Sequence, residues 1–251
     1  MTSSVPSRPH TLITGGSRGI GAATALRLAR DGHDVALSYV HDKGAAERVA
    51  EAVSATGARC VVLRADTSQE PDVERMFDEA AERLGPLTGL VNNAGITAPI
   101  GPLAEASTES LRRVVDVNVF GVLLCCRRAA RDMTAAGKGA IVNVSSGAAT
   151  LGSPGEYVHY AASKAAVDTL TIGLAKELGP VGVRVNAVAP GVIDTEIHAT
   201  SGAPDRAAQA APNIPLRRFG AAEEVAAGIA WLLSQDASYT TGTVLRVAGG
   251  R

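Results

Sequence analysis

The stretch Thr14-Gly15-Gly16-Ser17-Arg18-Gly19-Ile20-Gly21 joins a short apolar run to an amphipathic helical pattern. The run over residues 11–14 is predicted to be a strand, and the pattern over residues 19–31 is predicted to be a helix. A strand, a glycine-rich turn and a helix in this order present backbone N–H groups at a helix N-terminus, where the dipole favours anions. The spacing G-x-x-x-G-x-G differs from the common dinucleotide fingerprint G-x-G-x-x-G. A glycine turn without a ligand is the simpler alternative, but the flanking strand and helix favour a phosphate site.

The rest of the chain repeats this alternation of apolar runs and helical patterns. Several runs are apolar without alternation, as parallel strands covered on both faces are. The pattern therefore predicts an α/β fold, a doubly wound parallel sheet in a single domain over residues 10–251. The predicted strands cover residues 11–14, 34–39, 60–65, 89–92, 140–145, 184–189 and 244–247, which makes seven. The predicted helices cover residues 19–31, 43–56, 70–84, 107–136, 160–178 and 222–234.

The composition is typical of a soluble protein with a substantial core. Of 251 residues, 46% are hydrophobic and 20% are charged, and the formal net charge of -1 gives no reason to expect nucleic acid or an acidic membrane surface as a partner. Cys60, Cys125 and Cys126 show no disulfide framework and no metal-ligand spacing, so no metal site is predicted. Residues 1–9 lack the apolar segment of a signal peptide and are expected to be disordered or extended. Because no segment is long enough to span a membrane, a cytoplasmic protein is expected.

Tyr160 and Lys164 are four residues apart in a predicted helix, so their side chains share one face. A free phenol has a pKa of about 10, and a fixed positive charge beside it lowers that pKa. We therefore expect Lys164 to lower the pKa of Tyr160 and to make it a proton donor and acceptor. Many surface helices carry such a pair without a function. The pair therefore indicates a catalytic role only together with the other site residues of the chain.

Small and polar residues follow several predicted strands at the points where these strands end. They are Thr14 and Gly15 after the first, Asn92 to Gly95 at the fourth, Ser145 and Ser146 at the fifth, and Pro190 and Gly191 after the sixth. Ligands of parallel α/β sheets bind beyond the carboxyl ends of the strands. The sequence therefore predicts one binding site at this edge of the sheet.

In this order, these residues resemble the motifs of the short-chain dehydrogenase/reductase family over residues 11–250. The matching segments are the glycine stretch quoted above, Asn92-Asn93-Ala94-Gly95, Asn118, Ser145-Ser146, Tyr160-Ala161-Ala162-Ser163-Lys164, Asn186 and Pro190-Gly191. The resemblance implies a Rossmann-type fold, a nicotinamide cofactor, and hydride transfer between a carbonyl and an alcohol. It also implies a small-molecule substrate and a homotetramer. The chain is similar to sugar dehydrogenases around residues 152–157 and, more generally, to 3-ketoacyl-carrier-protein reductases, which leaves the substrate open between a sugar or polyol and a ketone.

Four catalytic residues follow from the resemblance: Asn118, Ser146, Tyr160 and Lys164. Tyr160 would give a proton to the carbonyl oxygen in reduction and take one from the alcohol in oxidation. Lys164 would also hold the nicotinamide ribose, and Asn118 would hold a water chain that leads to Lys164. From the residue alone, Asn118 is better explained as a helix-interior asparagine bonded to a backbone carbonyl.

The position of the catalytic serine departs from the family pattern, in which it stands thirteen residues before the tyrosine. Here that position is Gly147, and Ser146 stands fourteen before. A loop absorbs one extra residue easily, and Ser146 keeps its place at the end of the strand, so we expect it to bind the substrate oxygen. Ser145 is the alternative, because neighbouring side chains on a strand point to opposite faces.

The second predicted strand ends without the acid that would bind a ribose 2′-hydroxyl. Asp42 follows later and fits the start of the next helix better. Arg18 and Ser38 can hold a 2′-phosphate, and His41 and Lys43 add positive charge, so NADP(H) is expected in preference to NAD(H). The predicted cofactor-binding residues are Gly15, Ser17, Arg18, Gly19, Ile20, Gly21, Ser38, Tyr39, Asp66, Thr67, Asn92, Ala94, Gly95, Tyr160, Lys164, Pro190, Gly191, Val192 and Thr195.

The segment over residues 195–215 corresponds to a substrate lid in the family and contains no aromatic residue. Thr97, Glu156, His159 and His198 are polar residues that can reach a substrate, although His159 is better explained as structural or as part of an interface. A non-catalytic dinucleotide-binding sensor is the alternative to an enzyme. Such a sensor needs only the glycine stretch, so the four proton-handling residues together favour the enzyme.

Overall fold

The computed structural model describes residues 8–195 and 211–251. In these residues one parallel sheet contains the strands β1 (His10–Ile13), β2 (Asp34–Tyr39), β3 (Cys60–Arg64), β4 (Gly89–Asn92), β5 (Gly139–Val144), β6 (Val183–Pro190) and β7 (Val244–Val247). Their spatial order is β3-β2-β1-β4-β5-β6-β7, so the winding reverses between β1 and β4. The predicted seven-stranded, doubly wound fold is confirmed. A ligand of such a sheet binds beside the point of reversal.

Helices cover both faces of the sheet. They are α1 (Gly19–Arg30), α2 (Lys43–Ser54), α3 (Glu70–Leu84), α4 (Thr108–Val115), α5 (Gly121–Ala136), the short α6 (Ala148–Leu151), α7 (Val158–Leu178) and α8 (Ala222–Leu233). Leu12 belongs to a core shared with α3, α5 and α7, whereas its neighbour Ile13 belongs to a core shared with α1, α2 and α8. Successive strand side chains thus enter opposite cores, which explains why the strands are apolar without alternation.

Local side-chain chemistry sets the helix ends. The Asp42 carboxylate accepts a hydrogen bond from Ala45 N at 2.8 Å and caps α2, as predicted. The Ser107 hydroxyl accepts one from Ser110 N at 3.1 Å at the start of α4. Gly137, with φ of +67°, ends α5 in the left-handed conformation that glycine adopts without strain.

The structure differs from the prediction at several element boundaries. The helix predicted over residues 107–136 is divided by a π-helical turn, Asp116–Phe120. The helix predicted to begin at Tyr160 begins at Val158, and α6 was not predicted. Strand ends differ by about one residue. Residues 1–7, and most of the predicted lid including His198, lie outside the described residues.

Among the described helices, none combines the length and the apolar character that a membrane span requires.

Candidate active site

The glycine stretch forms a loop between β1 and α1 that fits an anionic ligand. Gly15 and Gly19 have φ of +64° and +52°, which side chains rarely tolerate. A Cβ on Gly16 would lie 2.6 Å from Leu37 Cβ, so the loop packs directly on β2. No side chain caps α1, and its first turn contains no acid. The N–H groups and dipole of this helix end therefore face the loop with no negative charge of their own, as a pyrophosphate requires.

Asn93 and Thr14 hold this loop against the end of β4. The Asn93 amide donates to Thr14 O at 3.0 Å and to Gly15 O at 2.8 Å. The Thr14 hydroxyl accepts from the backbone N–H groups of Asn93 and Ala94, both at 3.0 Å. Asn93 is not among the predicted cofactor-binding residues.

The structure places the side chain of Asn92 away from the glycine loop. It is buried and donates to Asn143 Oδ1 at 2.9 Å and to Cys126 Sγ at 3.2 Å, under the sheet. Asn92 was predicted to line the cofactor groove, but this side chain cannot, because the last residue of β4 points to the opposite face. The alternation of strand side chains is the signal that would have singled out Asn93.

The end of β2 forms the part of the groove where an adenosine ribose is expected. Ser38 is buried, and its hydroxyl accepts from Gly15 N at 3.2 Å, so it supports the glycine loop. Tyr39 is also buried, whereas Arg18 is exposed at the start of α1. Asp42 is used as the helix cap and Lys43 pairs with Glu47 at 3.0 Å.

Asp66 and Thr67 follow β3 and are fixed by α4 and α5. Asp66 accepts from the Ser68 hydroxyl at 2.7 Å and from the Arg113 guanidinium at 2.9 Å. Burial disfavours the charged form of Asp66, but these hydrogen bonds outweigh it and hold its pKa below the usual range. A Cβ on Gly121 would lie 2.9 Å from Thr67 Oγ1. Both oxygens of the Asp66 carboxylate have protein partners, and the segment is therefore rigidly positioned.

Tyr160 lies near the start of α7 and is buried against Tyr157, with the two rings edge to face and 5.3 Å between their centroids. Burial raises the pKa of Tyr160 to about 12, although a hydrogen bond with Ser146 opposes this shift. The expected lowering of this pKa by Lys164 is wrong for this structure. Loss of solvent around the phenol outweighs the neighbouring interactions. This burial arises from tertiary packing, so the spacing of Tyr160 and Lys164 in the sequence does not predict it.

The two candidate serines point in different directions. Ser146 follows β5, accepts from Ala148 N at 3.1 Å and bonds with Tyr160. Ser145 is buried, and its hydroxyl donates to Lys164 O at 3.3 Å, toward the interior of α7. Of the two, only Ser146 is brought together with the phenol.

Lys164 is buried one helical turn beyond Tyr160. Its Nζ donates to Val144 O at 2.8 Å and lies 5.8 Å from the centroid of the Tyr160 ring. Burial lowers the pKa of Lys164 to about 8, while the nearby Asp168 carboxylate opposes this effect. A Cβ on Gly95 would lie 3.3 Å from Lys164 Nζ, so the absence of a side chain there leaves space in front of the ammonium group.

Asn118 lies in the π-helical turn and is fully buried. Its Oδ1 accepts from Ile96 N at 2.9 Å, and its Nδ2 donates to Ile96 O at 2.8 Å and to Ser163 Oγ at 3.1 Å. The partner carbonyl belongs to the loop after β4 and not to the preceding helical turn. Asn118 thus ties the loop that carries Gly95 to α7. Isolated π-turns often occur at functional sites.

The end of β6 completes the groove. Pro190 O accepts from Gly147 N at 2.7 Å, and Gly191 N donates to Val247 O at 2.9 Å. An open cleft beside Ser146 is lined by Tyr157, Pro190, Gly191 and Val192. Thr195 approaches the glycine loop, since a Cβ on Gly19 would lie 3.3 Å from its Cγ2. Among residues 8–195 and 211–251, no group of His, Cys, Asp or Glu side chains is arranged to hold a metal ion.

The chain is similar to known oxidoreductases over nearly its whole length. A family model described as enoyl-(acyl carrier protein) reductase matches residues 15–251. The uncharacterized oxidoreductase YgfF of Escherichia coli (strain K12) is 50% identical over 96% of this chain and 98% of that protein. The cis-4-hydroxycyclohexanecarboxylate dehydrogenase of Sinomonas cyclohexanicum is 44% identical over 95% of this chain and 94% of that protein.

Solved structures agree with the sequence relatives. A short-chain type dehydrogenase/reductase from Mycobacterium marinum superimposes with a TM-score of 0.92 at 36% identity, covering 97% of this chain and 95% of that one. Two further neighbours are a blue fluorescent protein from a metagenomic library in complex with NADPH (TM-score 0.88, 34% identity, 96% of this chain and 97% of that one) and a NAD+-bound xylitol dehydrogenase (TM-score 0.90, 31% identity, 98% and 100%). The chain therefore belongs to the short-chain dehydrogenase/reductase family of oxidoreductases, which act on CH–OH groups with nicotinamide dinucleotides.

Proposed function

We propose that this protein interconverts a carbonyl and an alcohol with NADP(H), and that Tyr160 moves the proton. The observation that carries the proposal is the grouping of Ser146, Tyr160 and Lys164 at the carboxyl end of β5. Ser146 borders an open cleft and is hydrogen-bonded to Tyr160, and Lys164 Nζ lies 5.8 Å from the centroid of the Tyr160 ring. The glycine loop lies at the same edge of the sheet. A proton-transfer group and a dinucleotide-binding loop on one edge are the two parts that the reaction needs.

The nicotinamide ring supplies or accepts the hydride when the cofactor is bound. Ser146 and Tyr160 hold the reacting oxygen of the substrate by hydrogen bonds. In reduction, the Tyr160 hydroxyl donates its proton to this oxygen, and in oxidation the Tyr160 phenolate takes the alcohol proton. With its pKa raised to about 12, the phenol is protonated at neutral pH and is ready to donate. The Lys164 ammonium lies 5.8 Å from the centroid of the Tyr160 ring, where it would offset part of the cost of a buried phenolate without bringing the pKa below its usual value.

Other predicted residues would bind the cofactor along the same edge. The loop around Gly15 and Gly19 would take the pyrophosphate. Asp66 and Thr67 would border the adenine, with the Asp66 carboxylate already bonded to Ser68 and Arg113. Residues 190–192 and Thr195 would border the nicotinamide.

The test is a nicotinamide absorbance assay with sugars, simple alcohols, β-ketoesters, diketones and 4-hydroxycyclohexanecarboxylate, each with both cofactors. Similarity to the Sinomonas dehydrogenase is the reason for including the last compound. Replacing Tyr160 by Phe removes the transferable proton, so we expect turnover to fall by about 10²–10⁴-fold. Tyr239→Phe is the control, because Tyr239 is fully exposed.

Full turnover by Tyr160→Phe would contradict the proposed role. Tight binding of a cofactor without turnover of any compound would favour the sensor function instead.

Preference for NADP(H) is proposed from the end of β2. Asp42 is used as the cap of α2, and β2 itself ends in Ser38 and Tyr39 without an acid. Arg18 is exposed at the start of α1, in the loop that packs on β2 through Gly16. We expect Arg18→Ala to weaken NADPH binding by about tenfold, since a hydrogen bond to a charged group contributes about 1.5–3 kcal/mol, and to affect NADH little. Isothermal titration of both cofactors measures this, with Arg30→Ala on the last turn of α1 as the control. An unchanged ratio of the two affinities would disprove the role of Arg18.

A further inference from the structure

The cleft beside Ser146 has a positively charged residue in its lining. Ser146, Tyr157, Val192, Ala248 and Arg251 all border this cleft. Ser146 and the neighbouring Tyr160 are the groups proposed to hold the reacting oxygen, so a substrate bound there lies within the same space as Arg251. No acidic residue borders the cleft within the described part of the chain.

A tight turn after β7 places Arg251 at this position. Arg251 N donates to Ala248 O at 3.2 Å, and the two residues between them, Gly249 and Gly250, have φ of +64° and +93°. Two central residues with positive φ define the kind of turn that glycine favours. A Cβ on Gly249 would lie 2.8 Å from Ile214 Cγ2, and a Cβ on Gly250 would lie 2.9 Å from Pro215 Cβ. The turn therefore packs closely against Ile214 and Pro215, and its geometry fixes the position of the Arg251 main chain.

No acidic side chain of the described residues is paired with the guanidinium of Arg251. Within residues 8–195 and 211–251, no acidic side chain forms a salt bridge with its guanidinium. Arg246, the nearby arginine of β7, differs in this respect, because its guanidinium is used to hold Gly147 O at 3.1 Å and Thr150 Oγ1 at 2.7 Å. The cleft thus combines apolar residues with Ser146, Ser153, Tyr157 and Arg251, and the Arg251 guanidinium has no protein partner among the described residues.

We infer that the substrate carries an anionic group, a carboxylate, which Arg251 binds while Ser146 and Tyr160 hold the reacting oxygen. This inference rests on the proposed function and adds a substrate class to it, a hydroxy acid or the corresponding keto acid. A guanidinium matches a carboxylate through two parallel N–H···O bonds. In oxidation the bound nicotinamide cofactor would take the hydride of the alcohol carbon and the Tyr160 phenolate would take the hydroxyl proton, whereas the carboxylate would stay unchanged.

The test compares 4-hydroxycyclohexanecarboxylate with its carboxamide, which has the same shape and no charge. For the wild-type protein we expect a higher kcat/KM for the acid. Arg251→Gln should lower the ratio of the two kcat/KM values by about tenfold, mainly through KM of the acid, since a hydrogen bond to a charged group contributes about 1.5–3 kcal/mol. Arg251→Lys should retain part of the ratio, and high salt should reduce it in the wild type. All three proteins keep the main chain of residue 251, so the comparison isolates the side chain.

Arg30→Gln removes the same charge from the far end of α1 and is the matched control. A second measurement needs no turnover: isothermal titration of the unreactive cyclohexanecarboxylate and cyclohexanecarboxamide into the protein with NADP+. The acid should bind more tightly, and Arg251→Gln should remove the difference.

Equal binding of acid and amide by the wild type, or an acid preference that Arg251→Gln retains, would overturn the inference. Tyr160-dependent turnover of neutral alcohols would then leave the proposed function standing. Acid binding that depends on Arg251, without turnover of any compound, would support the inference and contradict the proposed function.

Discussion

At the scale of single residues, burial determines how the candidate catalytic groups titrate. Tyr160 has its pKa raised to about 12 and Lys164 has its pKa lowered to about 8, each mainly by loss of solvent. In the mechanism that we propose, the neutral phenol is the form that donates a proton in reduction. Oxidation needs the phenolate. At pH values below the pKa of Tyr160, the fraction of phenolate rises tenfold with each increase of one pH unit.

The raised pKa of Tyr160 predicts how the rate of alcohol oxidation depends on pH. For the wild type, kcat/KM for alcohol oxidation should still rise at pH 10. The hydrogen bond with Ser146 lowers the pKa of Tyr160, so Ser146→Ala should raise that pKa and move the rise to higher pH. The same variant should lose about 10²–10³-fold in turnover, because it also removes a donor to the reacting oxygen. A pH–rate profile measures both effects.

Ser145→Ala is the matched control for this experiment. Its hydroxyl is bonded to Lys164 O and faces away from the phenol, so it should lose much less turnover and keep the wild-type pH profile. The assignment would fail if Ser146→Ala were as active as the wild type.

At the scale of elements, polar side chains fasten strands and helices to one another at the sheet edges. Asp34 begins β2, and its buried carboxylate accepts from Arg59 N at 2.9 Å and from Arg59 Nε at 2.6 Å just before β3. Arg8 Nε lies 3.2 Å from the same carboxylate. Burial opposes ionisation of Asp34, but the bonds from Arg59 outweigh it and hold its pKa below the usual range. This cluster joins β2 to β3 and to the residues before β1.

Asp34→Asn should therefore destabilise the fold. The amide loses both ion pairs and cannot accept on both sides, so we expect a loss of about 1–3 kcal/mol in the free energy of unfolding at pH 7. Because the folded pKa is lowered, this contribution is complete above the unfolded pKa of about 4 and is lost as the pH falls through the folded pKa. Urea unfolding at pH 7 and at pH 3 should show a smaller difference between wild type and variant at the lower pH. Asp31→Asn, which breaks an exposed pair with Arg27, is the control and should cost under about 1 kcal/mol; an equal loss in both variants would refute the argument.

The elements also show where sequence reasoning succeeded and where it failed. Continuous apolar runs predicted the parallel sheet. Strands that are buried on both faces have apolar residues at consecutive positions, and this pattern is visible in the sequence. The π-helical turn at Asn118 was missed, since one added residue in a long helix barely alters the apolar spacing. The predicted cofactor-binding residues include Asn92 and omit Asn93, although the alternation of side chains along β4 turns Asn93 toward the glycine loop and Asn92 away from it. The pKa of Tyr160 depends on what covers the ring, and that follows only from the folded chain.

At the scale of the whole molecule, we propose that the protein assembles as a homotetramer. Val115, Phe120 and Leu123 on α4, the π-turn and α5 are about half exposed, as is Ile172 on the adjacent α7. Helices with apolar residues outside the core are typical of an interface between identical subunits.

Leu123→Glu should therefore dissociate the assembly, because a carboxylate would be buried without a partner. Light scattering at micromolar concentration should give a tetramer for the wild type and a smaller species for the variant. Leu103→Glu, at another exposed leucine on a separate turn, is the control. A monomeric wild-type protein would contradict the proposal.

The strand order also affects how the chain folds during its synthesis. β1 pairs on one side with β2, 24 residues later in the register His10↔Asp34, and on the other with β4, 78 residues later in the register Thr11↔Gly89. At about 5–20 residues per second, the ribosome completes β4 roughly 4–16 s after β1. For that interval β1, which becomes an interior strand of the sheet, has an open edge, and the contacts that close this edge are among the slowest to form. Nascent chains that end shortly before Gly89 are therefore the ones that most need a chaperone, and protease sensitivity that drops once β4 has emerged would show it.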